Sequence, residues 1–543
     1  MKRLLLTLAT VVGVTSMVSA QIMVGGGALT GSVESNSIYY LDDAKIGKEL
    51  DATFGSNNHI KLDYNKGAWS FGLQGDAYLP ALQGYELREY GAADPTFVVA
   101  NFFANYRGEN LTLTFGDFYD QLGGGLIYRS FEDRQLGLNT STTGARATFR
   151  PLDYLSLKVF AGTPRLYLTH AKSFLGGMDA SLWLSDMLGW SEAMMAVEGS
   201  YLMRYESLNL GETDLGFVMR GMESPVVNLW SARTSFDWRG LSLKGEFAGK
   251  SKDLSTIASD EVKSGMALLT EAGYTKGTFS VMAQARVLDN MGTRLSLYEG
   301  GAGNMLNYLP ALTRQHTYML ANLNPLQVMP EGEIGAQIDV FYKIRNRKVR
   351  YDSWTFHANY STAYTLRDNQ AITRERVMFW RDFNFDVERQ WSKEWKATFF
   401  YSMQQFIPHN DMAHPTTCMS NIFVGDVTYK INRKNSVRVE AQYLLSNDYE
   451  GDWVAGLVEY NMAPKWSVFA SSMYNHQRTE WRNNHHNDVD KINYYSIGAS
   501  YTEGRTRAQI SYGRNRAGMV CSGGVCRYSP AYTGLNLMLS TSF

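Results

Sequence analysis

Cys521 and Cys526 flank the tetrapeptide SGGV, and two thiols so placed form a disulfide when the compartment is oxidising. The glycines between them let the backbone turn tightly enough for closure. Cys418 is left over in another external loop and reads as a free thiol, with linkage to a partner as the second reading. Two further stretches mix imidazole with carboxylate: His409, Asp411 and His414, then His485, His486, Asp488 and Asp490. Such groups bind divalent ions, yet neither spacing matches a structural metal motif, and a solvated loop tip is the plainer reading. No metal or other cofactor is expected.

The stretch GDFYDQLGGGLIYRSFEDRQLG, residues 116–137, sets Gly123, Gly124 and Gly125 among Asp117, Asp120, Arg129, Glu132, Asp133 and Arg134. A phosphate-cradling loop would need G-K-[ST] and a helix N-terminus behind it, and neither is present. G-x-S-x-G and H-E-x-x-H are absent as well. The chain therefore reads as a non-enzyme. A hydrolase assembled from scattered Ser, His and Asp on a membrane barrel ranks third among the functional readings.

These residues need a scaffold, and the composition points to one large architecture. The 543 residues include 49 Gly, 33 Tyr and 12 Trp but only 12 Pro, with no compositional boundary between domains. The net charge of -1 offers no attraction to nucleic acid. At the front, Lys2 and Arg3 precede an apolar run over 4–18 and the small-residue triplet Val18-Ser19-Ala20. Residues 1–20 are expected to be a signal peptide, leaving 21–543 as a single domain. The rest of the sequence holds no apolar run of about 18 residues, so no spanning helix is available.

Strands are available instead. In SVRVEAQYLL, Val437, Val439, Ala441, Tyr443 and Leu445 alternate with Arg438, Glu440 and Gln442. LSLKGEFAG, FNFDVE, WKATFFYSM and FVGDVTYKI repeat the pattern, with charges on the polar face along the whole chain. The last stretch, YTGLNLMLSTSF, alternates too and ends on Phe543. Short turns at 65–67, 107–110, 150–153, 238–240, 275–277, 432–435, 462–465 and 502–505 alternate with long connections. The long ones fall near 80–96, 118–140, 163–194, 250–264, 289–333, 362–378, 405–420, 476–491 and 515–530. The expected fold is all-β: a closed antiparallel transmembrane β-barrel of about 24 strands (about 20 to 26), with short periplasmic turns and long extracellular loops. Trp69, Tyr78, Trp238, Trp354, Tyr360, Trp391, Trp453, Tyr460, Trp466, Tyr474, Tyr495 and Tyr501 are read as interfacial girdles.

On this scaffold the glycine stretch lies in an external connection after the fifth strand, inside a segment, 116–143, that can fold inward. Three arrangements are open to it. It constricts the lumen, with Gly123–125 as hinge and Asp117, Asp120, Glu132 and Asp133 facing Arg129, Arg134 and Arg146. Or the same charges form a fixed salt-bridge latch. Or it is an ordinary exposed loop, against which the apolar Phe118, Leu122, Leu126, Ile127 and Phe131 argue.

GSVESNSIYYLDD, residues 31–43, and the glycine stretch resemble two motifs of an uncharacterised family of Bacteroidetes outer-membrane β-barrels. The resemblance implies a barrel and an outer-membrane location, and secretion or uptake systems of that group as partners; it carries over no catalytic residue. Outer-membrane lipid and the barrel-insertion machinery, which reads the Phe543 strand, complete the expected partners. The first functional reading is a transport- or secretion-associated barrel whose lumen is partly filled by inward loops. The second is a non-conducting scaffold or adhesin.

Overall fold

A computed structural model of the chain describes residues 22–46, 52–209, 221–254, 262–346, 348–349, 351–366, 376–407, 417–448, 451–476, 491–522 and 525–543. The segment 1–20 and the histidine clusters at 409–414 and 485–490 lie outside the described residues.

Alternation of apolar and polar residues gives each strand two unlike faces, and a closed transmembrane barrel accommodates them with lipid outside and a polar interior. The chain does so with 24 long antiparallel staves, each paired with its neighbours in sequence. The first, Gly27–Leu41, pairs with the last, Tyr532–Ser542, from Ser32↔Ser542 to Leu41↔Thr533, so the sheet closes on itself. Closure leaves no unpaired edge in the apolar zone. On the stave Leu241–Leu254, Leu243 and Phe247 point outward and exposed, whereas Glu246, Ala248 and Lys250 point inward and are buried. The inward residues are covered because the lumen is full.

One rim carries short turns and the other long loops. At the short-turn rim, exposed tryptophans pair with tyrosines across neighbouring staves: Trp69 with Tyr106 at 5.1 Å, Trp395 with Tyr429 at 4.3 Å, and Trp466 with Tyr501 at 4.7 Å between ring centroids. Amphipathic rings of this kind suit a membrane–water boundary. Two residues assigned to the girdles belong elsewhere. Tyr78 and Trp453 are buried on the lumen side, because Tyr78 donates to Asp76 and Trp453 packs in a cluster with Tyr318, Leu320 and Phe400.

The supposed long connection at 163–194 is also corrected. It contains a stave, Phe174–Trp183, and then a short-rim turn carrying a small helix, Leu184–Leu188. Its glycines and Asp179 masked the alternation in LGGMDASLW. Cys418 lies not in a loop but at the start of the stave Cys418–Lys430, where it is buried and outside any disulfide.

A clamp holds the closing seam at the long-loop rim. Asp43, just beyond the first stave, accepts from Arg514 Nε at 2.6 Å and from the Thr533 hydroxyl at 2.6 Å. Burial raises the Asp43 carboxyl, but the bonds from Arg514, Thr533 and the Lys45 backbone N–H outweigh it and hold the pKa down at about 2. A carboxyl depressed in the folded state stabilises fully above its ordinary pKa, and the gain is lost as pH falls through the folded value. Asp43→Asn is therefore expected to lower barrel stability at neutral pH and to have a much smaller effect near pH 2, where about half of the folded carboxyl is already protonated. Urea midpoints at the two pH values check this; an equal loss at both would refute it.

Candidate functional site in the lumen

Three segments from the long-loop rim turn back between the staves: 79–95, 119–141 and 290–331. We call them the lip, the inner loop and the strap. Just before the inner loop, the stave Leu111–Phe118 parts from its neighbour Thr96–Arg107 at Gly116, which has φ 95. A Cβ there would stand 2.3 Å from the Phe102 carbonyl, so only glycine permits this parting. Leu122, Leu126, Ile127 and Tyr128 then become fully buried. The Tyr128 ring stacks on Phe160 of the wall at 5.0 Å, and its hydroxyl meets that of Thr142 at 2.7 Å.

The three glycines seat the loop against the wall. The Gly124 N–H donates to Glu246 Oε2 at 2.7 Å. Gly123 has φ 58, and a Cβ on it would lie 2.5 Å from Arg233 Cδ. Gly125 has φ 89 and touches Tyr308 of the strap. A β-branched residue at Gly123 meets both the backbone penalty and the arginine. Gly123→Val is expected to cost about 1–3 kcal/mol, raising the unseated population about 5- to 150-fold. Protease cleavage within 119–141 on the folded protein measures it; unchanged cleavage would show that the glycines do not seat the loop.

The charges of the stretch are paired. Asp120 bridges Arg146 at 3.2 Å and Lys158 at 2.6 Å, both on the wall. Arg134 reaches Glu34 of the first stave at 2.7 Å and Glu132 at 3.3 Å. Asp117 is a stave residue; it accepts from the Phe102 N–H at 2.9 Å and from the Thr143 hydroxyl. Two residues depart from the expected acid–base pattern. Arg129 lies over the Tyr308 ring, 3.7 Å from its centroid, rather than beside a carboxylate. Asp133 accepts from the Leu136 N–H at 3.0 Å, a local turn bond. The cation–π contact takes Arg129 because the strap presents an aromatic face there.

The strap is the larger part of the filling. Its first half sits on a charged seat of the wall. Arg204 and Asp253, both fully buried, pair at 2.6 Å, with Lys250 3.7 Å from the same aspartate. Arg204 and Lys250 also donate to the strap carbonyls of Arg294 at 2.5 Å and Gly292 at 2.7 Å. Arg286 pairs with Glu333 at 2.5 Å and donates to the Pro310 carbonyl. Farther along, Arg314 bonds Asp386, and His316 lies 3.2 Å from Asp382. Tyr318 and Leu320 then pack on wall residues Phe400, Ile422, Val424 and Leu444.

The segments interlock. The Tyr308 N–H donates to the Gly125 carbonyl at 2.8 Å, the Arg129 N–H to Leu306 at 3.0 Å, and the Asn307 amide to Leu126 at 3.0 Å. From the lip, Glu86 accepts the strap N–H groups of Ala302 at 2.7 Å and Gly303 at 3.2 Å. Over them lies the hairpin Gly518–Ser522/Val525–Ser529, closed by the Cys521–Cys526 disulfide. Its Arg527 donates to the carbonyls of Gln135 at 2.9 Å and Gly84 at 3.2 Å, with its guanidinium 4.1 Å from the Tyr85 ring centroid. The plug is thus one hydrogen-bonded body, clasped from above by the last hairpin.

Beneath the plug a cavity of ≈ 580 Å³ opens among Glu34, His59, Arg134, Arg507 and Gln509. A larger one, ≈ 700 Å³, is a dent in the lipid-facing surface where Gly245, Thr270, Ala272 and Ala283 leave room beside Phe236 and Tyr360. It is apolar, faces away from the plug, and suits acyl chains. A nucleophile set is not assembled at Thr143. Its hydroxyl donates to Asp117 and lies 2.7 Å from His170 Nε2, so the acid meets the hydroxyl directly instead of orienting the imidazole as a relay requires.

The sequence reading missed the strap's seat: Arg204, Lys250, Asp253, Arg286, Glu333, Asp382 and Asp386. Each falls on the polar face of a stave, where a wet lumen accounts for it equally well. A clearer signal was present in the apolar residues on that same face. Leu175, Leu202, Leu229 and Leu288, all fully buried, share their faces with polar and charged residues.

The full chain, residues 1–543, matches a family described as "Family of unknown function (DUF6029)". No curated protein matches the sequence. Among solved structures, the P pilus usher (PapC) translocation pore is similar with a TM-score of 0.46 at 10% identity, over 95% of this chain and 99% of that one. The siderophore receptor PirA from Pseudomonas aeruginosa gives 0.41 at 9%, over 95% and 80%. OccK9 (OpdG) of Pseudomonas aeruginosa gives 0.37 at 13%, over 82% and 98%. Similarity at this level assigns neither substrate nor partner.

Proposed function

The chain belongs to the DUF6029 family, whose function is unknown, and we propose from the barrel itself that it is a gated transport barrel of the outer membrane, closed at rest by its own loops. In this reading the short turns face the periplasm and the long loops the exterior. The observation that carries it is the mismatch between wall and filling. Barrels of 16–18 staves already enclose an aqueous channel, and those of about 22 hold a plugged lumen. A scaffold that only displays loops needs no such circumference. Here 24 staves with a charged inner face enclose a plug that is covalently continuous with the wall.

The plug's attachments fit a part that leaves its seat and returns. Asp120, Arg134, Arg314 and His316 meet the wall through charged groups that water can solvate once they separate. A plug held by apolar contact alone would expose a large greasy surface on opening.

Planar-bilayer recording of the intact protein tests this. A closed baseline with ion-selective openings at raised voltage or in dilute urea is expected. A baseline that stays silent while the protein remains folded would favour the second reading, a non-conducting scaffold or adhesin.

A further inference from the structure

His59, Asp76 and Glu132 converge where the wall meets the plug. His59 comes from the stave Phe54–Lys66, Asp76 from its neighbour Trp69–Tyr78, and Glu132 from the inner loop. Each offers one donor atom, and the three atoms lie within 4.8 Å of one another. His59 Nδ1 is 2.8 Å from Asp76 Oδ1. His59 and Asp76 are largely buried, and a small cavity of ≈ 20 Å³ opens beside the group, lined also by Tyr78 and Asn139. That is room for about one water-sized occupant.

A fourth donor is at hand. The Gln74 amide nitrogen bonds Asp76 Oδ1 at 3.2 Å and Glu132 Oε1 at 2.7 Å, so it holds the two carboxylates together. Turning that amide over replaces its N–H with a carbonyl oxygen aimed at the same point. Arg134 is the competitor for Glu132, but its shorter contact is with Glu34, at 2.7 Å against 3.3 Å. Glu34 retains the guanidinium when Glu132 is withdrawn. Arg165 lines the cavity too, yet its donors serve the backbone carbonyls of Tyr167, Val99 and Leu168.

We propose that His59, Asp76, Glu132 and Gln74 form a site for one divalent transition-metal ion that ties the inner loop to the barrel wall. One imidazole and several oxygens suit Zn²⁺ or Mn²⁺ better than Ca²⁺, which takes about 6–8 oxygens. Coordination at about 2.0–2.2 Å draws the three side chains inward by small rotations. The ion would act as a stay across the join, holding the loop seated when present and easing its release when removed. The site follows from the observed geometry and does not depend on the transport reading.

The test is calorimetric titration of the chelator-stripped, detergent-solubilised full chain with Zn²⁺, Mn²⁺ and Ca²⁺. His409, His414, His485 and His486 are changed to alanine in the background, so that the loop clusters contribute nothing. One saturable site for Zn²⁺ or Mn²⁺ is expected, weakened at least about 10-fold by His59→Ala and by Glu132→Gln. Added metal should also slow protease cleavage within 119–141, and not in Glu132→Gln. Glu132 lies outside the staves, so its variant keeps the test open if His59→Ala fails to fold. Absence of saturable binding, or equal affinity in both variants, would overturn the site. Either result leaves the bilayer recordings, and the transport reading, untouched.

Discussion

Excising residues 291–330 is expected to turn a closed barrel into an open one. The strap begins and ends side by side: the Asn290 N–H donates to the Glu331 carbonyl at 3.0 Å, and the Met291 N–H to Pro330 at 2.8 Å. A short Gly-Ser link can therefore rejoin the staves Phe279–Asp289 and Gly332–Arg345, already paired from Phe279↔Tyr342 to Asp289↔Gly332, without disturbing either. What disappears is the filling above Phe400, Ile422 and Leu444, together with the carbonyls that occupy Arg204, Lys250 and Arg286. The lip and inner loop remain, but neither contributes to the cluster around Phe400, Ile422 and Leu444. Steady conductance steps in planar bilayers should appear where the intact chain is closed. Cells carrying the excised form should admit hydrophilic solutes that the intact form excludes. Changing Phe400 to Ser as well guards against collapse of the bared apolar patch. A folded, excised barrel that remains closed would show that the strap is not what shuts the lumen.

Asp253→Ala should be among the most destabilising single substitutions in the chain. Asp253 is fully buried between Arg204 and Lys250, themselves nearly or wholly buried. Removing the shared anion takes the directly paired counter-charge from two buried cations. Breaking a buried pair in this way costs about 3–5 kcal/mol. The same change releases the side chains that grip the strap at Gly292 and Arg294, so plug and wall should loosen together. Urea midpoints of the refolded barrel measure the first effect and protease cleavage within 290–331 the second. Glu503→Ala, which removes a solvent-exposed pair with Lys465 at the short-turn rim, is the control and should shift neither. Equal behaviour of the two variants would mean that the buried charges are not what seats the strap.

The wall was legible from sequence because its cause is local. Each stave must alternate, and each turn must be short or long, so Val437 to Leu445 or Trp395 to Met403 shows its two faces without reference to anything else. The stave Phe174–Trp183 escaped because glycines at 176 and 177 leave two positions with no side chain to declare a face. The plug was less legible because its cause is not local. The inner loop carried signs of burial in Leu122, Leu126 and Ile127, and its glycines marked a turn. Nothing in 290–331 alternates or repeats, and apart from Arg286 and Glu333 its seat lies on staves distant in the chain. Trp453 shows the ambiguity: an aromatic near a strand end suits a girdle, and only the presence of Tyr318 and Leu320 inside the barrel makes it a core residue. Phe400, on the polar face of WKATFFYSM, was the residue that could have signalled an occupied interior.

The seam between the first and last staves also governs the order of assembly. Every other stave pairs with a near neighbour in sequence, so the wall can grow as a succession of hairpins with little loop entropy to overcome. The closing contacts are different in kind: Asp43 and Thr533 are 490 positions apart. Non-local contacts of that span form late and slowly. Until they form, the sheet is an open trough with two bare edges, and the plug lies against it rather than within it. The inner loop and strap, joined to each other and to several separate staves, can hold such a trough in its curve and bring its edges within reach. The part that closes the finished pore would thus also serve as the form on which the barrel is bent.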